Sequence, residues 1–450
     1  MSSNGLTSFL FSTPEMANVF SPEAQLRAMT RFEWALSSAL EANGLAEPGS
    51  GAALGKLLRS DFVDISLLLR EARDAGNIAI PFVRQLTATV KAGNENAARS
   101  IHFGATSQDV LDTALVLQMK EALQLLNNAM DRLDAALVQQ IKAHRDTVML
   151  GRTWLQAGPP VTLGLKLAGV LSALRRSRKR IHEEAGRSLV LQFGGAVGTL
   201  AALGGAGEAV ARKTASVLGL AEAELPWHSQ RDRVAAVVQV LALVTGTLAK
   251  LGRDFAMLMQ PEIAELAEGG AEGRGGSSTM PHKHNPVGSA ALIAIHEKMP
   301  ALCATMLHAM PQEHERGLGL WQSEWDTVPE AFRLTAAGIS YATELVEGLK
   351  VNSDSMQKNL TATHGLPMAE AVSAALSSKI GRSEAHKLLR AATDRAAKGN
   401  ASLEAVLNES PEVMAHLTEV EIKALLDPRN YLGSAQRFID RVLGAKDAHR

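Results

Sequence analysis

Apolar residues recur at steps of three and four from Leu115 to Ile141, through Met119, Leu123, Leu126, Met130, Leu133 and Leu137. That spacing lines one face of a helix of roughly ten turns. A second stripe runs from Val234 through Val237, Val238, Leu241, Val244 and Leu248 to Leu251. Its pattern predicts a helix that continues past Pro261 with a kink. Segments 160–186, 286–309 and 329–349 also read as helices, the last with Pro329 in its first turn. Helices this long need partners along their length, and association of copies supplies them. No repeat of roughly 30–45 residues argues for a solenoid. Before residue 111 the pattern is shorter-grained, with turn signals at Gly44, Pro48-Gly49, Gly76-Asn77 and Gly93-Asn94. After about residue 360 it breaks up again around Gly365, Gly381, Gly399, Pro411 and Pro428. The reading is an all-α chain in three domains: a small helical domain over 1–111, a long-helix bundle over 112–360 and a small helical domain over 361–450.

Composition narrows the function. The chain has 450 residues, with 46 Lys+Arg against 47 Asp+Glu. So even a balance gives no overall field to hold nucleic acid or an anionic membrane. Cys303 is the single cysteine, which excludes an internal disulfide framework and a cysteine-built zinc site. The N-terminal segment lacks the basic patch and small-residue cleavage site of a signal peptide. The apolar run Val234–Ala249 contains Gln239, Thr245, Gly246 and Thr247 and reads as a core helix rather than a membrane span. A cytoplasmic protein is expected.

The segment richest in chemistry is Gly269–Pro286, GGAEGRGGSSTMPHKHNP. Five glycines among its first eight residues predict a mobile loop. It delivers Ser277, Ser278, Lys283 and Asn285 to the start of a helix, with Asn285-Pro286 expected as N-cap and first residue. Hydroxyls, an ammonium and an amide beside a helix N-terminus suit an anionic substrate. His282 and His284 have no carboxylate or cysteine at ligand spacing, so they read as solvent-facing rather than as a metal pair.

GSSTMPHKHNP resembles the signature loop of the fumarase/aspartase superfamily, which includes argininosuccinate and adenylosuccinate lyases. His102-Phe-Gly-Ala-Thr-Ser-Gln-Asp109, followed by Asp112-Thr113, resembles its first conserved region, and Gly151-Arg-Thr-Trp-Leu-Gln-Ala157 its second. The resemblance implies a three-domain fold whose long helices form a twenty-helix core in a homotetramer, with each active site shared by three subunits. It implies a small polycarboxylate substrate and neither metal nor organic cofactor. The implied reaction breaks a C–O or C–N bond β to a carboxylate through a carbanion held as an aci-carboxylate. By matched position Ser277 is the proton-transferring serine, and Lys283 and Asn285 bind a substrate carboxylate. Thr106, Ser107 and Gln156 match further substrate contacts, and Ser278 and Met280 share the signature loop.

The departures decide the chemistry. The second region usually reads Gly-Arg-Thr-His, and its histidine protonates the leaving group beside a glutamate seven residues after the signature lysine. Here those positions are Trp154 and Ala290. An amine or hydroxide leaving group needs a proton donor worth roughly two to four orders of magnitude in rate. A carboxylate leaving group, with a pKa of about 4, needs none. That points to the branch of the superfamily that lactonizes a carboxymuconate in aromatic-acid breakdown, with Trp154 either a pocket wall or a core tryptophan. The alternatives are a lyase on a substituted succinate with a displaced acid such as His102, and a catalytically idle, crystallin-like structural protein. Adenylosuccinate lyases tend to begin Arg-Tyr-x-x-Pro-Glu-Met; Leu10-Phe-Ser-Thr-Pro-Glu-Met16 keeps the turn without the phosphate ligands. Candidate cations for a tricarboxylate are Lys283, Arg316, Arg152 and His102, each with a structural ion pair as the competing role. The glycines of Phe193–Gly198 read as tight backbone packing.

Overall fold

The protein is described by a computed structural model covering residues 6–270, 274–280 and 282–444. The expected mobile loop therefore has Ala271, Glu272, Gly273 and Pro281 outside the described residues. Helix α1 (Pro22–Ala42) precedes α2 (Ser107–Ala143), whose 37 residues carry the first apolar stripe, with Met119, Leu126, Leu133 and Ile141 buried. A hairpin of β1 (Val148–Thr153) and β2 (Gln156–Thr162) follows, then α3 (Leu163–Ser188) and α4 (Asp232–Leu258). Strand β3 (Leu266–Ala267), helices α5 (Val287–Ala309) and α6 (Glu324–Glu347) and strand β4 (Lys350–Val351) complete the part that carries the motifs. Among the described residues the strands form only these two short antiparallel pairs, β1 with β2 and β3 with β4. The all-α expectation holds.

Several helix boundaries differ from expectation: α3 begins only at Leu163, because residues 160–162 belong to β2. Helix α4 stops at Leu258 instead of continuing past Pro261. Proline disfavours helical backbone in the residue before it and lacks the N–H that a continuing turn would use. The chain then reverses through Ala264 (φ 50), and the Glu265 N–H returns to the Leu258 carbonyl at 2.9 Å. Helix α6 starts at Glu324, so Pro329 lies inside it rather than in its first turn.

The chain forms two compact units, 1–130 with 177–246 and 295–339, and 131–176 with 247–294 and 340–450; each border falls inside a long helix. In the first, α1 buries Met29, Phe32, Leu36 and Leu40, and Phe32 meets Phe193 edge-on at 6.3 Å. In the second, Leu376, Leu389, Leu407 and Ile422 anchor a small C-terminal core. By length and composition α4 and α5 are apolar enough to cross a membrane. In α4 56% of the most apolar window is buried, whereas in α5 only 28% is.

Candidate active site

In the first unit the site is built on the loop His102–Thr106 and the start of α2. Asp109, fully buried in the first turn of α2, accepts the N–H groups of Thr106 (3.0 Å), Gly194 (3.0 Å) and Gly195 (2.9 Å) and pairs with His228 Nε2 at 2.7 Å. One carboxylate thus ties the loop to the Phe193–Gly198 glycines. A Cβ on Gly195 (φ 70) would stand 2.8 Å from the Gly104 carbonyl oxygen, so these glycines do serve backbone packing. Arg316 donates to Thr106 Oγ1 at 2.8 Å and to the Ala196 carbonyl at 2.8 Å. Thr106 and Arg316, 210 residues apart, are therefore in direct contact, and Ser107 follows Thr106 at the first position of α2. His102 sits in left-handed backbone (φ 57) with its Nδ1 2.7 Å from Glu33 Oε1. Burial pulls its pKa down, but the Glu33 charge and hydrogen bond and the Asp109 charge outweigh that and raise it above the usual histidine value.

In the second unit the Gly151–Ala157 motif forms the tip of the β1–β2 hairpin, with Thr153 paired to Gln156. Gly151 is required, because a Cβ there would lie 2.2 Å from the Pro159 carbonyl oxygen. The two tip residues, Trp154 (φ 53) and Leu155 (φ 62), both hold left-handed backbone. Asn-Gly normally fills such a turn, and other residues cost on the order of 1 kcal/mol each there. Trp154 is 98% exposed and Leu155 73%, which excludes the core-tryptophan reading; within its own chain Trp154 walls nothing off. Gln156 is exposed beside them. Arg152 takes the structural ion-pair role, one of the two expected for it. Its guanidinium grips the fully buried Glu265 at 2.6 and 3.0 Å, and Asn359 donates to the same carboxylate at 2.7 Å. The reversal after α4 supplies that Glu265, so Arg152 clamps the hairpin rather than standing free for a substrate carboxylate.

The signature loop lies in the same unit. Helix α5 begins at Val287, not at Pro286, and the expected Asn285 cap is replaced from outside. Glu268 accepts the N–H groups of Gly288 (2.9 Å) and Ser289 (2.8 Å) and the Ser289 hydroxyl (2.7 Å). The helix N-terminus thus already holds a carboxylate of the chain and is not free for another anion. The Asn285 N–H donates to the Gly275 carbonyl at 2.7 Å, and Gly276 bridges to His284. A Cβ on Gly275 (φ 72) would lie 2.4 Å from the Asn285 carbonyl oxygen, which forces glycine at this crossing. Ser277 Oγ accepts the Met280 N–H at 3.0 Å and the Thr279 N–H at 3.3 Å, two amide dipoles on the oxygen that would bear charge. The Lys283 N–H donates to the Met280 carbonyl at 3.0 Å, and Ser278, Met280, Lys283 and both His282 and His284 are exposed.

Sequence reasoning passed over Glu33, Glu265 and Glu268, and named Asp109 in a matched region without giving it a role. For Glu33 a signal existed: it falls four residues after Met29 and three before Leu36, on the apolar face of α1.

Residues 74–299 match the family described as Lyase, and residues 365–442 match that described as Adenylosuccinate lyase C-terminus. The chain is 48% identical over 445 residues to the 3-carboxy-cis,cis-muconate cycloisomerase of Pseudomonas aeruginosa, covering 99% of this chain and 97% of that one. It is 45% identical to the protein of the same name from Pseudomonas putida, over 93% of this chain and 99% of the relative. The crystal structure of the 3-carboxy-cis,cis-muconate lactonizing enzyme from Pseudomonas putida superposes with a TM-score of 0.93 at 44% identity, covering 98% of each chain.

Proposed function

Because the chain belongs to the lyase family, with the fumarase/aspartase fold, we propose that it interconverts 3-carboxy-cis,cis-muconate and a carboxymuconolactone in aromatic-acid breakdown. One observation carries the reading: Ser277, Lys283 and Asn285 are retained while the positions of the family's leaving-group acid hold Trp154 and Ala290. In the lactonizing direction an oxygen of an internal carboxylate bonds to one alkene carbon. The π pair moves to the other carbon, where the adjacent carboxylate holds it as an aci-carboxylate. Ser277 delivers the proton to that carbon, and in the reverse direction removes it. The expelled group in reverse is a carboxylate, stable as an anion, so no acid is needed on that side. Lys283 and Asn285 hold one substrate carboxylate; Thr106, Ser107, Arg316 and His102 meet another. The test is spectrophotometric: purified protein added to 3-carboxy-cis,cis-muconate should bleach the diene absorbance. No loss, together with fumarate release from adenylosuccinate, would replace this reading with the succinate-lyase one.

The working form is a cytoplasmic homotetramer with sites shared by three copies. In support, the apolar α5 leaves Val287 and Leu307 exposed, α4 leaves Leu243 and Met257, and the hairpin tip leaves Trp154 and Leu155. Mixing inactive Lys283→Ala chains with inactive Gln156→Ala chains should restore part of the activity, since some hybrid sites then carry neither defect. Verified mixed tetramers that stay inactive would exclude sites assembled from different copies.

Restoring the family histidine through Trp154→His supplies an acid this reaction does not use, without the glutamate that would orient it. Lactonization should fall or stay unchanged, and fumarate should not be released from substituted succinates. A substantially faster lactonization would mean that leaving-group protonation limits the rate, against the carboxylate argument.

A further inference from the structure

Glu33 is wholly buried (0% exposed) on α1, and no step above uses it. Both of its carboxylate oxygens are directed at His102: one accepts the backbone N–H at 2.8 Å, and the other lies 2.7 Å from ring Nδ1. An ionised carboxylate only accepts, so Nδ1 carries a proton. Nε2 is then the ring's remaining polar atom, and no hydrogen-bond partner reaches it among the described residues. The side chain is 21% exposed, and its backbone is held at φ 57, a conformation that a non-glycine residue keeps only when its surroundings enforce it.

We propose that Glu33 is a positioning residue: it clamps His102 by ring and backbone and serves as its buried counterion, so that an imidazolium Nε2–H meets a substrate carboxylate. The proposal rests on the polycarboxylate reading above and deepens it by naming what makes the histidine a cation. Neighbouring chemistry agrees. Arg316 donates into Thr106 Oγ1, which leaves the threonine hydroxyl hydrogen for another acceptor. The same loop therefore offers an imidazolium, a hydroxyl donor and an adjacent guanidinium, a set that suits a carboxylate. The charged groups acting on His102 are Glu33 on α1 and Asp109 on α2, and Asp109 is itself satisfied by His228 and three amides.

Because binding uses the imidazolium, affinity is full at low pH and is lost as pH rises through the raised His102 pKa. Glu33→Gln removes the counterion; its amide can still accept the backbone N–H, while its NH₂ now donates to Nδ1 and leaves a neutral ring. The alkaline limb of kcat/KM should move to lower pH, and in the window between the variant's His102 pKa and the parent's, KM should rise about tenfold or more with kcat less affected. Glu33→Asp, which keeps the charge, should recover part of the affinity, and His102→Gln should abolish the limb. A tetrameric Glu33→Gln enzyme with the parent's limb and KM overturns the proposal. Should that variant fail to assemble, a limb that survives in His102→Gln overturns it and a lost limb supports it. Calorimetric binding of tricarballylate, an unreactive tricarboxylate, separates the two readings. Glu33-dependent binding by a protein that leaves carboxymuconate untouched would end the lactonization reading alone; normal lactonization with an unmoved limb would end this one alone.

Discussion

Arg231→Met is expected to destabilise the first unit by about 3–5 kcal/mol, the usual cost of stripping one partner from a buried ion network. Arg231 is fully buried between Asp112, at 2.7 and 3.0 Å, and Glu324, at 2.6 and 3.0 Å. Trp321 donates its indole N–H to Asp112 at 3.0 Å, and the guanidinium lies 4.9 Å from the centre of the Trp227 ring. Methionine restores most of the volume and none of the charge, leaving two buried carboxylates facing each other. The pH dependence follows from Glu324, whose pKa burial already raises even against the pull of Arg231. A carboxyl that binds its proton more tightly folded than unfolded takes stability away as pH rises above its unfolded value, about 4.3. Without Arg231 that loss grows, so the deficit should be largest at neutral pH and shrink under mild acid. Urea unfolding across that range reads it. A variant within about 1 kcal/mol of the parent at neutral pH would mean the carboxylates find another partner or water.

The long helices were legible because each carries an apolar stripe wide enough to survive single exceptions. The end of α4 was not. Phe255, Met259 and Ile263 keep a helical spacing across Pro261, and the reversal shows in the positive φ of Ala264 and the Glu265-to-Leu258 hydrogen bond. The β1–β2 hairpin was hidden for a different reason. Gly151, Gly158, Pro159 and Pro160 read as breakers, and its turn lacks the Asn-Gly signal that announces positive φ at two residues. Candidate site residues were named by motif, one segment at a time. The contact between Thr106 and Arg316 spans too much chain for any periodicity to reveal. The ion pair of Arg152, one of the two roles left open for it, and the capped N-terminus of α5 were hidden for one shared reason. Both positive features are already matched by buried or capping glutamates, Glu265 and Glu268, whose partners lie far away in sequence. Charged residues near a motif announce chemistry, but only geometry tells which are already paired.

Ser277→Ala should lower kcat by about two to four orders of magnitude while leaving KM nearly unchanged, the pattern for loss of a proton-transfer group. Serine is a poor acid and base in water, and the structure supplies part of the remedy: the Met280 and Thr279 amides both aim at its Oγ. Stabilising the alkoxide by fixed dipoles makes the hydroxyl a better proton donor to the aci-carboxylate carbon, and the same dipoles hold the anion in the reverse step. Alanine removes the oxygen without removing charge, so carboxylate binding through Lys283 and Asn285 persists. Those two amides sit on an exposed loop where water can replace the hydroxyl, so folding should be unaffected. Lys283→Ala should behave differently and damage KM and kcat together, because an ammonium that binds the ground-state carboxylate also holds the aci-carboxylate. Ser278→Ala, one residue away on the same loop, is the control for general disturbance and should change kcat far less than Ser277→Ala. Steady-state kinetics on carboxymuconate, with tricarballylate affinity measured in parallel, separates the three variants. If Ser277→Ala keeps kcat within about tenfold of the parent, the proton is delivered by another group, and His102, whose Nδ1 lies 2.7 Å from Glu33, is the next to replace.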